Sequence, residues 1–356
     1  MYSLHNHRRL LMIYLLIALF TLINPFPSSA SETSEKAVAI VIHGGAGTIN
    51  PESMSAEMEQ EYRTVLNKAV TAGHNILVSG GSSREAIIAA ISLMEDSPLF
   101  NAGHGAVFNH RGDIELDASI MDGHDLNAGA VASVRRVKNP IKLANSVMLA
   151  SPHVLLAGPG AEQFAQQQGL ELVSNDYFKT DRRRLQLERI IEQEKSTTQL
   201  LPLSHPVLVK YQFDEKKLGT VGAVAIDREG NISAGTSTGG MSNKRYGRIG
   251  DSPIIGAGTY ADNTSCGISA TGHGEYFIRA AVAHDICARM AYTGITLQSA
   301  QDQVIQDKLV KMNASGGVIG IDKDANIAFS FNTTGMYRAS IDKRGKTLVK
   351  IFKNTE

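Results

Sequence analysis

The feature of the sequence that most constrains the fold is a set of short, continuous apolar segments that end in turns. Residues 37–42 are all alanine, valine or isoleucine and lead into the glycine-rich residues 43–47. Residues 221–226 and 232–236 flank a turn that contains Gly230. Segments this short and this rich in valine and isoleucine are typical of buried strands and hairpins. The sequence therefore predicts a core built on sheets.

Longer segments with helical spacing are grouped between blocks of such strands. Ser82 and Glu85 have the spacing of a capping box in front of an alanine- and isoleucine-rich run. Including that run, helices are predicted at residues 55–78, 140–150, 160–168, 182–194, 275–291 and 297–312. Further strands are predicted at residues 254–260, 265–270, 318–321, 327–331, 336–341 and 347–352. Because strands and helices come in blocks, we predict an α+β fold of antiparallel sheets layered with helices.

Residues 175–218 lack this regularity. They contain a basic run, a polar stretch, and Pro202 and Pro206. Apart from the helix predicted at residues 182–194, such a segment is typical of a mobile linker, longer than an ordinary connection.

The first thirty residues have the pattern of a targeting signal. Arg8 and Arg9 precede an apolar run over residues 10–23, and small residues lead to Ala30. This order is typical of a secretory signal peptide over residues 1–30, cut after about Ala30, and the run is short for a membrane span. An uncleaved anchor is the alternative. We expect export to a periplasm or an equivalent space, with no membrane association after removal of the signal.

Charge and cysteine content narrow the classes of partner and chemistry. Without the signal, the chain carries 33 basic and 35 acidic residues, a balance that argues against nucleic acid as a partner. Cys266 and Cys287 lack the neighbours of a metal site or a cysteine nucleophile. Export permits one disulfide between them, but we predict two buried free thiols.

Three short motifs compete as the catalytic site. Residues 235–239 fit the Gly-x-Ser-x-Gly nucleophile elbow, but the apolar helix that this motif requires does not follow. Residues 43–47 lack the spacing of a nucleotide-binding loop. Their glycines instead suit a close-packed loop whose backbone approaches an active site. The third motif is the pair Gly219 and Thr220, where the polar linker meets a buried strand.

A threonine at this position has a chemical use if the chain is cut before it. An internal threonine hydroxyl needs a separate base, whereas an N-terminal threonine carries its own α-amine. The pKa of that amine is about 7.7 to 8.0, close to working pH. Cleavage after Gly219 would turn Thr220 into such a nucleophile.

Seven passages make the chain resemble the isoaspartyl peptidase and plant-type L-asparaginase family of N-terminal nucleophile hydrolases. In family order they are residues 42–47, 100–105, 116–123, 219–225, 236–241, 247–253 and 271–275. The resemblance covers nearly all of the mature chain. It implies a four-layer αββα sandwich and a threonine-type hydrolase. The implied activity is that of a β-aspartyl peptidase with L-asparaginase activity, acting on asparagine or dipeptides with an aspartyl head.

The resemblance also implies that the chain cuts itself between Gly219 and Thr220. Residues 31–219 would form an α subunit that ends in the linker at about residues 175–219, and residues 220–356 would form a β subunit. Both subunits would make up one domain, and two αβ pairs would form a heterotetramer.

By the same resemblance, Thr220 would be the nucleophile and Thr238 would support its hydroxyl. Thr271 and the Gly272 amide would form the oxyanion hole. No cofactor is required for this chemistry.

The implied substrate site recognises an amino-acid head. Arg248 would bind the α-carboxylate, for which its planar guanidinium is suited, and Asp251 would bind the α-ammonium. Gly274 would line the site beside Thr271 and Gly272. Asn101 and Gly45 would support the active-site region.

Members of this family also bind a monovalent cation, Na⁺ or K⁺, through backbone carbonyls. Carried over to this chain, the ligands would be the carbonyl oxygens of Met94, Glu95, Ser97, Leu99, Phe100 and His104.

Three other functions are compatible with parts of the pattern. A glycosylasparaginase cuts the sugar–asparagine bond, but its nucleophile usually follows an aspartate, where this chain has Gly219. A processing endopeptidase of the same fold fits the head-group residues less well. The third alternative is a non-catalytic amino-acid-binding protein that keeps the fold.

Overall fold

The computed structural model describes residues 37–199 and 219–353. The predicted signal peptide and residues 200–218 of the predicted linker lie outside the described residues. Within the described ranges, no helix is both long and apolar enough to span a membrane.

The strands are short and mostly buried. They are β1 (Ala39–Gly47), β2 (Leu116–Asp122), β3 (Ala128–Val134), β4 (Leu155–Ala157), β5 (Val221–Ile226), β6 (Ile232–Thr238), β7 (Thr259–Ala261), β8 (Cys266–Gly272), β9 (Gly316–Asp322), β10 (Ile327–Phe331), β11 (Gly335–Ile341) and β12 (Thr347–Phe352).

The helices are grouped along the chain as the sequence predicts. They are α1 (Ala56–Val78), α2 (Ser83–Glu95), α3 (Pro140–Ala150), α4 (Gly158–Gln167), α5 (Asp181–Gln199), α6 (Gly274–Ala280), α7 (Val282–Thr293), α8 (Leu297–Asp302) and α9 (Leu309–Lys311). A π-helical segment, Gln303–Lys308, joins α8 to α9. The predicted capping box is confirmed at the start of α2, where the side chains of Ser82 and Glu85 bind each other's backbone amides.

The strands form two sheets. The larger has eight strands in the order β12-β11-β1-β5-β6-β2-β3-β4, and the smaller has four in the order β10-β9-β8-β7. The neighbours are antiparallel, as predicted, except for the edge pair β3 and β4, which is parallel. The β5–β6 hairpin lies at the centre of the larger sheet.

Apolar side chains fill three layers of core. The first lies between the larger sheet and helices α1 to α3 and includes Leu66 and Ile87. The second lies between the two sheets and includes Val224 and Ile319. The third, which includes Ile286, lies between the smaller sheet and helices α7 and α8. The predicted αββα sandwich is confirmed.

Two predicted elements differ in the structure. The strand predicted at residues 254–260 is mostly turns, and only β7 is extended there. Gly256 has a left-handed φ of +87°, which interrupts an otherwise apolar sequence. The helix predicted at residues 275–291 is divided at Ala281, whose φ is +48°. The backbone amides of Ala283 and His284, just after this break, donate to the carbonyls of Ala257 and Gly256. The turn at residues 256–257 is therefore bonded to the start of α7, and both differences lie at this contact.

The predicted linker is ordered as far as Gln199. Residues 175–178 form a 3₁₀ turn, and α5 extends beyond the helix predicted at residues 182–194. Phe178 and Leu187 are buried in the core beneath the larger sheet. The prediction of a mobile linker is therefore wrong for residues 175–181 and 195–199, whereas the helix predicted at residues 182–194 is confirmed.

The prediction of two free thiols is also wrong. Cys266 on β8 and Cys287 on α7 form a disulfide, with their Cα atoms 5.4 Å apart. That separation is typical of a bridge. It arises because α7 packs against β8, a contact between distant elements that two cysteines in a sequence do not reveal.

The disulfide should contribute measurably to stability. Replacing both cysteines by alanine removes a crosslink over 21 residues, which is expected to lower the free energy of unfolding by about 3 kcal/mol. Denaturant titration of the oxidised wild type and the double variant measures this difference.

Burial of the two sulfurs provides a control for that experiment. Cys266 and Cys287 are 0% and 1% exposed, so a thiol reagent tests the bridge only in the unfolded chain, where it should detect no free thiol before reduction and two after it. Two reactive thiols in the unfolded but unreduced protein, or equal unfolding midpoints, would contradict the bridge.

Candidate active site

The predicted nucleophile lies directly before the central strand β5. Thr220 is 7% exposed. Strand β1 pairs with β5 as far as His43 and Gly222, so the glycine-rich end of β1 passes beside Thr220. A Cβ on Gly45 would lie 3.2 Å from the Thr220 amide nitrogen, and Gly45 has a φ of +111°. Glycine is therefore suited to this close approach of two backbones.

The carbonyl oxygen of Gly219 accepts hydrogen bonds from three side chains. Thr220 Oγ1 lies 2.6 Å from it, Asn101 Nδ2 donates at 2.9 Å and Thr238 Oγ1 donates at 3.1 Å. The two threonine hydroxyls are themselves 3.1 Å apart. Donors arranged in this way stabilise negative charge that develops on a carbonyl oxygen under attack.

Asn101 holds this arrangement together. Its Nδ2 also donates to the carbonyl of Gly240 at 2.7 Å, and its Oδ1 accepts from the Val107 amide at 2.9 Å. Because Gly240 in turn donates its amide to Thr238 Oγ1 at 3.0 Å, the amide of Asn101 and the hydroxyl of Thr238 are fixed relative to each other.

His43 fixes the start of β5 from the other side. Its Nδ1 lies 3.0 Å from the Thr220 carbonyl oxygen and its Nε2 lies 3.0 Å from Ser269 Oγ. Complete burial lowers the pKa of His43 to about 3, so the ring is neutral. A carbonyl only accepts, and therefore Nδ1 carries the proton and Nε2 accepts from the serine. The glycines of this loop drew attention in the sequence, whereas the imidazole of His43 was not predicted to have a role.

The predicted oxyanion residues lie at the end of β8. Thr271 is fully buried, and its Oγ1 accepts from the Ala46 amide at 3.3 Å. Since Gly45 lies beside Thr220, Thr271 and Thr220 contact neighbouring residues of β1. Gly272 is packed closely, and an added Cβ would lie 2.7 Å from the Ser315 carbonyl oxygen.

The predicted head-group residues form one cluster around Gly274. A Cβ at Gly274 would lie 2.8 Å from Arg248 Nη2 and 3.0 Å from Asp251 Oδ1. The guanidinium also makes a two-pronged ion pair, with Nε and Nη2 at 2.9 and 3.0 Å from the oxygens of Glu275. Glu275 was not predicted to have a role, although it follows Gly274 and has the charge opposite to that of Arg248.

Asp251 is a buried carboxylate with an unused oxygen. The residue is 5% exposed, and among the described residues no donor reaches its Oδ2. Burial raises the pKa of Asp251 to about 7, although Arg248 opposes this shift. A buried polar atom without a partner is costly, and an ammonium group of a ligand would satisfy it.

The Gly-x-Ser-x-Gly motif has a structural role. Ser237 lies within β6, and its hydroxyl donates to Glu95 Oε1 at 2.7 Å. Burial raises the pKa of Glu95 to about 8, and the carboxyl also accepts from the Ile141 amide at 3.0 Å. Ser237 thus ties β6 to the helices.

The loop predicted to bind a cation curls tightly after α2. The carbonyls of Met94, Glu95 and Leu99 accept from Ser97 N, His104 N and Tyr62 Oη, respectively. A Cβ on Gly105 would lie 2.6 and 2.7 Å from the carbonyl oxygens of Pro98 and Phe100. Glycine at this position therefore lets the backbone of residue 105 pass close to these two carbonyls. Within residues 37–199 and 219–353, no cluster of three or more metal-ligating side chains occurs.

The sequence is similar to known hydrolases over nearly its whole length. The asparaginase family model matches residues 36–351. The isoaspartyl peptidase of Escherichia coli (strain K12) is 48% identical over 301 residues, covering 84% of this chain and 91% of that protein. The isoaspartyl peptidases/L-asparaginases of Xenopus laevis and Mus musculus are 40% and 39% identical. They cover 85% and 87% of this chain and are themselves matched over 91% and 89% of their lengths.

The buried imidazole predicts a pH dependence of stability. His43 has a pKa of about 3 in the folded chain and a reference value of 6.5, so between these values the proton binds the unfolded chain. The contribution of neutral His43 to the free energy of unfolding is therefore complete above pH 6.5. Below that pH it falls by about 1.4 kcal/mol per pH unit. We expect the gap in unfolding free energy between wild type and His43→Gln to shrink by about 2 to 3 kcal/mol from pH 7 to pH 4.5.

The exposed His124 provides the matched control. His124→Gln should keep the wild-type pH dependence in denaturant titrations at each pH. A constant gap between wild type and His43→Gln would contradict a neutral, buried His43.

Proposed function

The chain belongs to the asparaginase family and is a hydrolase, and we propose that it is an isoaspartyl peptidase with L-asparaginase activity. We propose further that it cuts its own chain between Gly219 and Thr220. The observation that carries this proposal is the Gly219 carbonyl, which has the Thr220 hydroxyl beside it and accepts from Asn101 and Thr238.

In the proposed cleavage, Thr220 Oγ1 attacks the carbonyl carbon of Gly219. The donors from Asn101 and Thr238 stabilise the charge on the carbonyl oxygen, an effect typically worth about 3 to 4 kcal/mol per donor. The peptide bond breaks as the Thr220 nitrogen takes a proton, which leaves an ester between Gly219 and Thr220. Water then hydrolyses the ester, giving a carboxylate on Gly219 and a free amine on Thr220.

In the proposed catalytic cycle, that amine accepts the proton of the Thr220 hydroxyl, which attacks the side-chain carbonyl of the substrate. Thr271 and the Gly272 amide stabilise the resulting oxyanion. The leaving nitrogen takes a proton and departs as ammonia or as an amino acid, and the aspartyl ester on Thr220 is hydrolysed by water. Aspartate is the common product.

The head-group cluster supports substrates with a free aspartyl α-amine and α-carboxylate. The unpartnered oxygen of Asp251 suits the ammonium, and the guanidinium of Arg248 suits the carboxylate. Because Glu275 already occupies the Nε–Nη2 edge of that guanidinium, the substrate carboxylate would use the Nη1–Nη2 edge or displace Glu275.

Three further features are part of this proposal. A monovalent cation would be held by backbone carbonyls of residues 94–104, where it would order the loop that carries Asn101. Export with removal of residues 1–30 is supported by the sequence pattern, and the Cys266–Cys287 disulfide fits an oxidising compartment. The cleaved chain would form αβ pairs that assemble as dimers.

The nucleophile provides the direct test. Thr220→Ala should stay a single chain and release no aspartate from β-aspartyl-leucine or L-asparagine, whereas the wild type should give two chains. Thr220→Ser keeps a hydroxyl and is the matched control, with slower but measurable cleavage. Intact mass and aspartate release report the two events.

Two outcomes would decide against the proposal. A wild-type chain that stays whole and inactive would contradict the hydrolase mechanism. Aspartate release from glycosylated asparagine in preference to both substrates would assign the glycosylasparaginase reaction instead.

The raised pKa of Asp251 predicts how substrate affinity changes with pH. Its carboxyl must be ionised to bind the substrate ammonium, and its pKa is about 7. The KM for L-asparagine should therefore fall as pH rises from 6 to 8, by up to about tenfold per pH unit below the pKa.

Asp251→Asn is the variant that tests this assignment. It removes the titrating group, so kcat/KM should fall by roughly 100-fold, the loss expected when a charge-assisted pair is broken, and KM should no longer change over this pH range. A wild-type KM that is constant from pH 6 to pH 8 would contradict the role of Asp251.

A further inference from the structure

A cavity adjoins Gly219, the residue before the proposed nucleophile. It has a volume of about 160 Å³, and its lining includes Gly45, Asn101, Gly219, Tyr62, Arg182 and Arg183. Neither Arg248 nor Asp251 lines it. The cavity is thus separate from the aspartyl head-group cluster, yet Gly219, the residue before the proposed nucleophile, lines it.

Two arginines from the start of α5 line this cavity without an acidic partner. Among the described residues, no carboxylate lies within ion-pair distance of Arg182 or Arg183. The next arginine on the helix, Arg184, pairs with Asp181 on the surface. Two adjacent guanidinium groups repel each other, so their placement together at a cavity indicates an anionic ligand.

Each guanidinium is held by neutral groups. Arg183 Nε donates to the Gly105 carbonyl at 2.7 Å and its Nη1 donates to Gln186 Oε1 at 3.0 Å. Arg182 Nη1 donates to Tyr62 Oη at 3.1 Å. Tyr62 is 2% exposed and is itself fixed by its bond to the Leu99 carbonyl. Among the described residues, Arg183 Nη2 has no acceptor, so the arginines are positioned and retain free donors.

The cavity is lined by positive and neutral groups beside Gly219, whose peptide bond to Thr220 is the proposed scissile bond. It adjoins Gly45 and Gly219, the residues on either side of the Thr220 backbone. Of the two proposed substrates, L-asparagine releases ammonia, which has no negative group. An isoaspartyl dipeptide releases an amino acid whose α-carboxylate lies two bonds from the broken amide nitrogen.

We propose that this cavity binds the α-carboxylate of the residue that leaves from an isoaspartyl dipeptide, through Arg182 and Arg183. The inference rests on the proposed function and makes the two arginines determinants of leaving-group specificity. It distinguishes substrates that share the same aspartyl head.

The test compares three substrates on the processed enzyme: β-aspartyl-leucine, its C-terminal amide, and L-asparagine. The wild type should prefer the free acid to the amide by about tenfold or more in kcat/KM. Arg182→Gln and Arg183→Gln should each lower kcat/KM for the free acid by about 10- to 100-fold, mainly through KM, as expected for a charge-assisted hydrogen bond. Their kcat/KM for the amide and for L-asparagine should change far less.

Arg184→Gln is the matched control, because Arg184 is the neighbouring arginine on α5 and does not line the cavity. It should retain the wild-type preference for the free acid. Intact mass establishes that each variant has been cleaved. Of the two cavity arginines, Arg182 is the one whose substitution should disturb packing less, because it is exposed.

Each other outcome has a definite meaning. Equal losses on all three substrates would show a structural role and overturn the inference. So would a wild-type enzyme that does not distinguish the acid from the amide, as expected if the arginines instead hold the carboxylate that cleavage creates on Gly219. If the wild type hydrolyses neither L-asparagine nor the dipeptide, the proposed function fails. If it hydrolyses both but does not prefer the free acid to the amide, only the inference about the arginines fails.

Discussion

The hydrogen bond between the His43 ring and the Thr220 carbonyl determines where the central strand begins, and the site depends on that position. β1 and β5 pair up to His43 and Gly222. Beyond them the strand pairing ends although Gly45 still lies close to Thr220, and the imidazole, which Ser269 also contacts, joins β1 to the Thr220 carbonyl. This bond anchors the backbone at Thr220, so the carbonyl of Gly219 can point toward Asn101 and Thr238 without loss of register in the larger sheet.

Local patterns in the sequence predicted the local structure well. The β5–β6 hairpin, the capping box at Ser82 and the final strands are encoded by neighbouring residues, and the structure confirms them. Strands β2 and β3 were missed because their small and polar residues lack a clear apolar alternation. The break at Ala281 and the Cys266–Cys287 bridge depend on tertiary contacts between separate elements, which the pattern within one element does not contain.

In the candidate site, too, patterns of neighbouring residues were not enough to predict which side chains come together. No spacing rule joins Asn101, Thr220 and Arg248, and only the resemblance to a family brought them together before the structure was considered. Two side chains that contact the predicted site residues were overlooked, because neither was given a role by the resemblance to the family. His43 was overlooked beside its glycines, and Glu275, which pairs with Arg248, was overlooked at the start of α6.

In the proposed function, the electrostatics of the site would separate recognition of the aspartyl head from recognition of the leaving group. Asp251 is buried with an unused oxygen, and Arg248 lies beside it, so this side of the site suits a zwitterionic head that asparagine and isoaspartyl dipeptides share. Contacts to a shared group bind both substrates equally and cannot set their relative rates. Selectivity between them must therefore arise from residues that contact the leaving group. On the Gly219 side, the described residues with charge suited to that task are the paired arginines of α5.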